Sequence, residues 1–250
     1  MNIWITGAST GLGREVARQY ARDGHTVIVS ARGADGLNSL ADECRDESGH
    51  VHAQPMDVTD PDAIVAAFDA ITTEFGVPDL VILNAGTNAA DSALDFNRET
   101  YARIMDINFM GVINCLESIL PAFLTRRKGQ IAVVASVAGY RGLPYAAAYC
   151  ASKSALISVC ESLQPELAAN GVNLHLVDPG FVRTPLTDKN EFSMPFLMEV
   201  EDAAASMVAG LAQGRFEVTF PKRFTWLVKS TRFLPFGIFL RLTRSMIRKP

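Results

Sequence analysis

What the chain lacks narrows its class before anything it contains. Its four cysteines, Cys44, Cys115, Cys150 and Cys160, form no C-x-x-C pair and no zinc-type spacing. That favours reduced thiols in a cytoplasmic setting over a disulfide framework. Histidine is equally scarce. His50 and His52 sit beside or within a strand, His25 in a turn and His175 inside an apolar run. None stands at ligand spacing from a carboxylate or thiol, so no metal site is expected. No apolar run approaches the roughly 18 residues of a spanning helix, and there is no low-complexity tract, long linker or solenoid repeat. Met1 to Thr6 already reads as a buried strand, which leaves no room for a cleavable leader. With 48% apolar and 20% charged residues, disordered and collagen-like classes are excluded.

What is present is an alternation of short apolar runs with helix-length segments. The runs are Ile3–Thr6, Val27–Ala31, Leu80–Asn84, Ile131–Ser136 and Val172–Val177, with a more polar one at His50–Met56. Near-continuous apolarity is what a parallel strand covered on both faces requires. Helices are expected at about 11–23, 34–47, 60–75, 98–127 and 147–169, and a further one at 199–213 before a short strand Phe216–Phe220. Strand–helix repetition of this kind implies an α/β protein: a single-domain, Rossmann-like, doubly wound parallel sheet. The organisation expected is residues 1–220 as one dinucleotide-binding and catalytic domain, then a basic, aromatic helical extension over 221–250.

The first strand runs into Thr6-Gly7-Ala8-Ser9-Thr10-Gly11-Leu12-Gly13 and then directly into a helix. Glycines let the backbone turn tightly and approach a pyrophosphate, while a helix N-terminus offers free N–H donors and the positive end of a dipole. The second strand ends Ser30-Ala31-Arg32. Where an NAD site usually has an acidic residue for the ribose hydroxyls, this chain has Ala31 followed by a permanent cation. A guanidinium matches a 2′-phosphate in shape and charge, so NADP(H) is the expected cofactor.

At the end of the fifth run stands Ser136, and thirteen residues on comes Tyr149-Cys150-Ala151-Ser152-Lys153. Positions i and i+4 share a helix face, which aims the phenol and the ammonium at one space. A cation there is expected to pull the phenol pKa down toward neutrality. Ser136 falls where open α/β sheets bind ligands and could hold a substrate oxygen.

On these residues the chain resembles the single-domain short-chain dehydrogenases/reductases over roughly residues 2–185. The spacing Gly7-x3-Gly11-x-Gly13 carries the likeness, with Asp57-Val58, Asn84-Ala85-Gly86, Asn108, Ser136, Tyr149 with Lys153, and Pro179-Gly180 followed by Thr184, all in the family's order. The resemblance implies Asn108, Ser136, Tyr149 and Lys153 as the catalytic set. Tyr149 would be the general acid in reduction and the base in oxidation. Ser136 would steady the substrate oxygen, and Asn108 would retain a water near Lys153. It implies a cofactor site made of Gly7, Ser9, Thr10, Gly11, Leu12, Gly13, Arg32, Asp57, Val58, Asn84, Ala85, Gly86, Tyr149, Lys153, Pro179, Gly180, Val182 and Thr184. It also implies a homodimer through 98–127 and 147–169. The rival on the same fold is a non-catalytic NADP(H) sensor or a membrane-associated binding protein, neither of which needs all four catalytic residues.

Two segments depart from the pattern. Residues 181–198 carry Phe181, Leu186, Phe192, Met194, Phe196, Leu197 and Met198. A mobile apolar lid there would suit an apolar carbonyl or alcohol substrate. Residues 215–250 hold nine Lys/Arg against the single Glu217, about +8, so the rest of the chain sits near −12. Nucleic acid is not the expected partner, because the cations are interleaved with Phe, Leu and Ile. Two readings of the tail stand side by side. It is either one or two short amphipathic helices, broken at Pro235, resting on the inner face of an anionic membrane, or a helix packed over the pocket or a second subunit with its cations solvated.

Overall fold

The structure is a computed structural model, and it describes residues 1–188 and 194–247. Seven strands form one all-parallel sheet in the order β3-β2-β1-β4-β5-β6-β7. They are β1 Asn2–Thr6, β2 Thr26–Ser30, β3 His50–Ala53, β4 Leu80–Leu83, β5 Gly129–Val134, β6 Val172–Pro179 and β7 Glu217–Phe220. Chain order reverses between β1 and β4, which pair from Ile3 with Leu80 to Thr6 with Leu83. A crevice opens at the carboxyl ends of strands where such a reversal occurs.

The apolar runs are continuous because alternate residues serve two cores. In β1, Ile3 and Ile5 face one layer with Val27 and Val29 of β2, while Trp4 and Ile28 face the other. The first layer is closed by helices α1 Gly11–Arg22, α2 Ala34–Glu43 and, later in the chain, Val200–Ala212. The second is closed by α3 Pro61–Phe75, by the long segment Arg98–Arg126 and by the helix Ala147–Ala169. Local chemistry sets the starts. Asp60 caps α3 by accepting from the N–H groups of Asp62 and Ala63, and Pro61 occupies the first turn, where its missing N–H costs nothing.

The segment expected as one helix over 98–127 is divided. Helix α4 Arg98–Met105 passes into a π-turn, Asp106–Met110, before α5 Gly111–Arg126 resumes. Two contacts account for the bulge. Gly111 lies against Val58, where an added Cβ would come within 2.7 Å of the Val58 side chain. Asn108 is fully buried, its amide turned inward and satisfied on both sides. Single π-turns inside α-helices are frequent at functional sites. The segment Arg98–Arg126 is also long and apolar enough to cross a membrane, but Ile104, Val112, Cys115, Leu116, Ile119 and Phe123 are buried in the core.

The remaining helices are α6 Ala147–Ala169, α7 Val200–Ala212, α8 Lys222–Ser230 and α9 Phe236–Arg244. The short 3-10 turn Thr231–Phe233 and the extended Leu234 before Pro235 separate α8 from α9.

Candidate active site

A cleft of about 880 Å³ lies over the carboxyl ends of β1, β2, β4, β5 and β6. At one end is the glycine loop. Gly7 adopts φ +69°, and a Cβ there would stand 2.6 Å from Ala85 Cα. Gly11 adopts φ +62°. Both positions lie in the left-handed region that favours glycine. Asn84 ties this loop to the end of β4: its amide nitrogen donates to the Thr6 and Gly7 carbonyls at 3.1 and 3.0 Å. The Thr6 hydroxyl accepts from the N–H groups of Asn84 and Ala85.

The start of α1 is prepared for an anion. Thr10 precedes it without a side-chain cap, and its first turn carries no acidic residue. Its free N–H groups and dipole are therefore uncompensated by the helix itself. This cradle, with the wall Asp57-Val58 and Ala85-Gly86, fits a dinucleotide of the kind the loop spacing suggests.

At the other end, Ser136, Tyr149 and Lys153 converge. Ser136 follows β5 and caps the turn Val137–Gly139, its hydroxyl accepting from Ala138 N at 3.1 Å. Its own proton is directed to the Pro179 carbonyl at 3.4 Å, a long contact that a substrate oxygen could replace. Tyr149 and Lys153 sit in the first two turns of α6. Asp91, in the loop after β4, starts this helix by accepting from Ala147 N and Ala148 N at 3.0 and 2.7 Å. The Lys153 ammonium donates to the Val134 carbonyl at 2.8 Å and stands 5.8 Å from the centre of the Tyr149 ring.

The electrostatics correct one expectation. Burial pushes the Tyr149 phenol up to about 12, with the Ser136 hydrogen bond acting against it. Burial also draws Lys153 down to about 8, opposed by the charge of Asp178. Lys153 therefore does not pull the phenol toward neutrality in this structure: desolvation sets the shift, and the ammonium is not among its causes.

All but two of the predicted site residues line the cleft. Gly13 lies behind the loop, where a Cβ would meet Asn84 Nδ2 at 2.4 Å. Asn108 lies behind Lys153. It donates to the Thr87 carbonyl and Ser152 Oγ, each at 3.0 Å, and accepts from Thr87 N at 2.7 Å. Arg32 stands exposed at the rim, and among the described residues no carboxylate pairs with it. The sequence shows Ala31 where an NAD site has an acidic residue, yet Asp35, in the first turn of α2, lines the same wall. Strand-end spacing carries no signal for a residue that a helix start brings back to the cleft.

Of the expected apolar lid, Leu186 lines the cleft. Phe181 instead lies tilted against Phe224 of α8 and Phe196 stacks on it, with ring centres 5.4 and 5.8 Å away. Met198 pairs with Val182 in an isolated bridge, and Phe192 lies outside the described residues.

Sequence reasoning also missed a buried cluster behind the site. The Tyr140 hydroxyl lies 3.1 Å from Asp178 Oδ2 and 2.9 Å from Glu217 Oε1. One hydroxyl proton can be donated to only one of these two carboxylates at a time. Asp178 is the deeper of the two. Among the described residues its Oδ1 has no partner, and burial pushes the carboxyl up to about 7. Lys229 of α8 pairs with Glu217 at the outer end.

Comparison with known proteins agrees with this arrangement. The family model for short chain dehydrogenase matches residues 1–193. An "uncharacterized oxidoreductase" of Myxococcus xanthus is 38% identical over 235 residues, covering 94% of this chain and 93% of that one. The structure of a short-chain dehydrogenase from Sphingobium yanoikuyae in complex with NADPH is 26% identical with a TM-score of 0.81, over 99% of this chain and 96% of that one. A short chain dehydrogenase/reductase from Burkholderia phymatum in complex with NAD is 25% identical with a TM-score of 0.83, over 91% of each chain.

Proposed function

Because this chain belongs to the short-chain dehydrogenase/reductase family, we propose that it is an oxidoreductase that interconverts a carbonyl and an alcohol on an apolar substrate with NADP(H). The family supports a nicotinamide cofactor, and the relatives include both an NADPH and an NAD complex. The choice between them is therefore argued from this chain's own wall, where Arg32 is exposed and, among the described residues, forms no salt bridge. The 2′-phosphate would lie against Arg32, the pyrophosphate over Gly11 to Gly13 at the start of α1, and the nicotinamide side toward Pro179, Gly180, Val182 and Thr184.

When bound, the cofactor supplies the hydride, and the protein orients and polarises. The Ser136 hydroxyl holds the substrate oxygen. Tyr149 gives its phenolic proton to that oxygen in reduction and accepts one in oxidation. Burial keeps the Tyr149 phenol protonated near neutrality, the form that donates in reduction. Lys153, held by the Val134 carbonyl, stands ready to bind the ribose. Asn108 positions the start of α6 through Ser152, whose hydroxyl donates to the Tyr149 carbonyl at 2.8 Å. The apolar substrate class is supported by Ile107, Val182, Pro185 and Leu186 in the cleft wall.

The single observation that carries this reading is the convergence of Ser136, Tyr149 and Lys153 on the cleft that also holds the glycine loop. Its test is NADPH oxidation against a panel of aliphatic and aromatic aldehydes and ketones, run beside NADH. Turnover with NADPH that disappears in Tyr149→Phe, while NADPH still binds, is the expected result. Full activity in that variant would remove Tyr149 from the reaction.

A further inference from the structure

We propose that α8 and α9 together form a docking surface for an anionic lipid bilayer. The extension shows its apolar side chains to solvent: Phe233 is 87% exposed, Phe236 75% and Trp226 74%, and Leu227, Ile238 and Leu242 are each more than half exposed. Isolated exposed apolar residues are ordinary, but a cluster of this size marks an interaction site.

Charge selects the partner. Lys222, Arg223, Arg232, Arg241 and Arg244 are all exposed, and among the described residues none forms a salt bridge. Glu217, the one acid in this part of the chain, is already taken by Lys229 and Tyr140. Cations interleaved with large apolar side chains fit a layer with anionic headgroups above and acyl chains beneath. A second copy docking through the same face would set these five cations against their equivalents. Nucleic acid would leave the apolar residues uncovered.

Arg141 adds an independent feature where α9 meets the body. Its guanidinium stacks on the Phe236 and Phe239 rings, 5.0 and 4.1 Å from their centres. It reaches the Arg232 and Leu234 carbonyls only at 3.3 and 3.5 Å. Among the described residues its Nη2 is buried without a hydrogen-bond partner. Beside it a pocket of about 580 Å³ opens between Leu143, Pro144, Phe239, Leu240 and Thr243. The head of a lipid acyl chain supplies its apolar filling. The remainder of the chain, near −12, is repelled by the same membrane, so the molecule is oriented with the extension downward.

The test uses the full chain with vesicles of phosphatidylcholine alone or mixed equally with phosphatidylglycerol, read by co-sedimentation and by tryptophan emission. Trp4 is fully buried, so a blue shift reports Trp226. Binding and a blue shift on the anionic vesicles alone, reversed by salt, are expected. The double variant Arg241→Glu/Arg244→Glu should weaken partitioning at least about 30-fold while binding NADPH as the unmodified chain does. Absence of sedimentation with anionic vesicles at low salt overturns the proposal, as does equal binding by the charge-reversed chain. A dimer in sedimentation velocity that dissociates in Phe236→Ser, with no vesicle binding, would assign the face to a second copy instead. Because no readout depends on turnover, this proposal and the redox reading fail separately.

Discussion

Two tryptophans divide the molecule into its two physical regimes. Trp4 lies at the centre of the sheet, fully buried, stacked 6.0 Å from Phe68 and with its indole N–H donated to Ser30 Oγ. Trp226, on α8, is 74% exposed. In the body, apolar residues are consumed by two covered faces of one sheet, and polar residues collect at strand ends, where they make a site. In the extension, apolar and cationic residues are left facing outward together. The contrast teaches that a residue type has no fixed meaning here: the same indole is core in one region and offered surface in the other.

The largest expected effect breaks the chemistry of the body and leaves its architecture intact. Tyr149→Phe should lower kcat by about 10²–10⁴-fold, the usual worth of a positioned proton donor, with NADPH affinity measured by calorimetry nearly unchanged. An equal loss in Trp226→Ala would mean that the two regions are not separable. The next effect sharpens the tryptophan comparison. Trp4→Ala should cost about 3–5 kcal/mol in urea unfolding through the cavity it leaves. Trp226→Ala should stay within about 0.5 kcal/mol, as exposed substitutions do. Similar costs for both would show that the extension is packed in solution.

Much of the site was legible because its signals are local. The glycine loop sits between a strand and a helix, and Tyr149 and Lys153 are four residues apart on one helix, so period and spacing alone bring them to one face. What escaped depends on tertiary burial. The acidity of Tyr149 runs opposite to the expectation from its neighbouring cation, since desolvation is a property of the folded cleft and not of the Tyr-x3-Lys pattern. The π-turn at Asp106–Met110 needed the approach of Gly111 to Val58, more than fifty residues apart in sequence. Asp178, Tyr140 and Glu217 come from three separate elements and have no shared motif.

Asp35 is a further example, and it frames a middle-sized prediction. Arg32 and Asp35 stand on one wall with opposite charge, so the proposed NADP(H) preference would reflect their balance. Arg32→Asp should weaken NADPH about 10- to 100-fold relative to NADH, the worth of one charge-assisted contact plus the new repulsion. Asp35→Ala should move the preference toward NADPH by less. Calorimetry with both cofactors reads each change, and equal affinities in the unmodified chain would discard the NADP assignment.

The smallest expected effect concerns the seam between the two regions, where Asp178 of β6, Tyr140, Glu217 of β7 and Lys229 of α8 join the body to the extension. Asp178 is raised from the usual carboxylate value to about 7, first by burial and then by Glu217, with Tyr140 and Lys229 opposing. A group raised on folding contributes stability that is complete below its unfolded value, near 4, and is lost as pH rises through about 7. The unmodified protein should therefore weaken from pH 5 to 7.5 through this group. Asp178→Asn cannot ionise, so its advantage over the unmodified chain should grow across that window, by about 1–2 kcal/mol, which corresponds to a few degrees in Tm for a chain of this size. The window stops at 7.5 because Lys153, lowered to about 8, acts in the opposite sense above it: the neutral amine is the form the interior prefers, so its contribution rises with pH. If the Asn variant and the unmodified chain lose Tm in parallel from pH 5 to 7.5, Asp178 is already ionised in the fold.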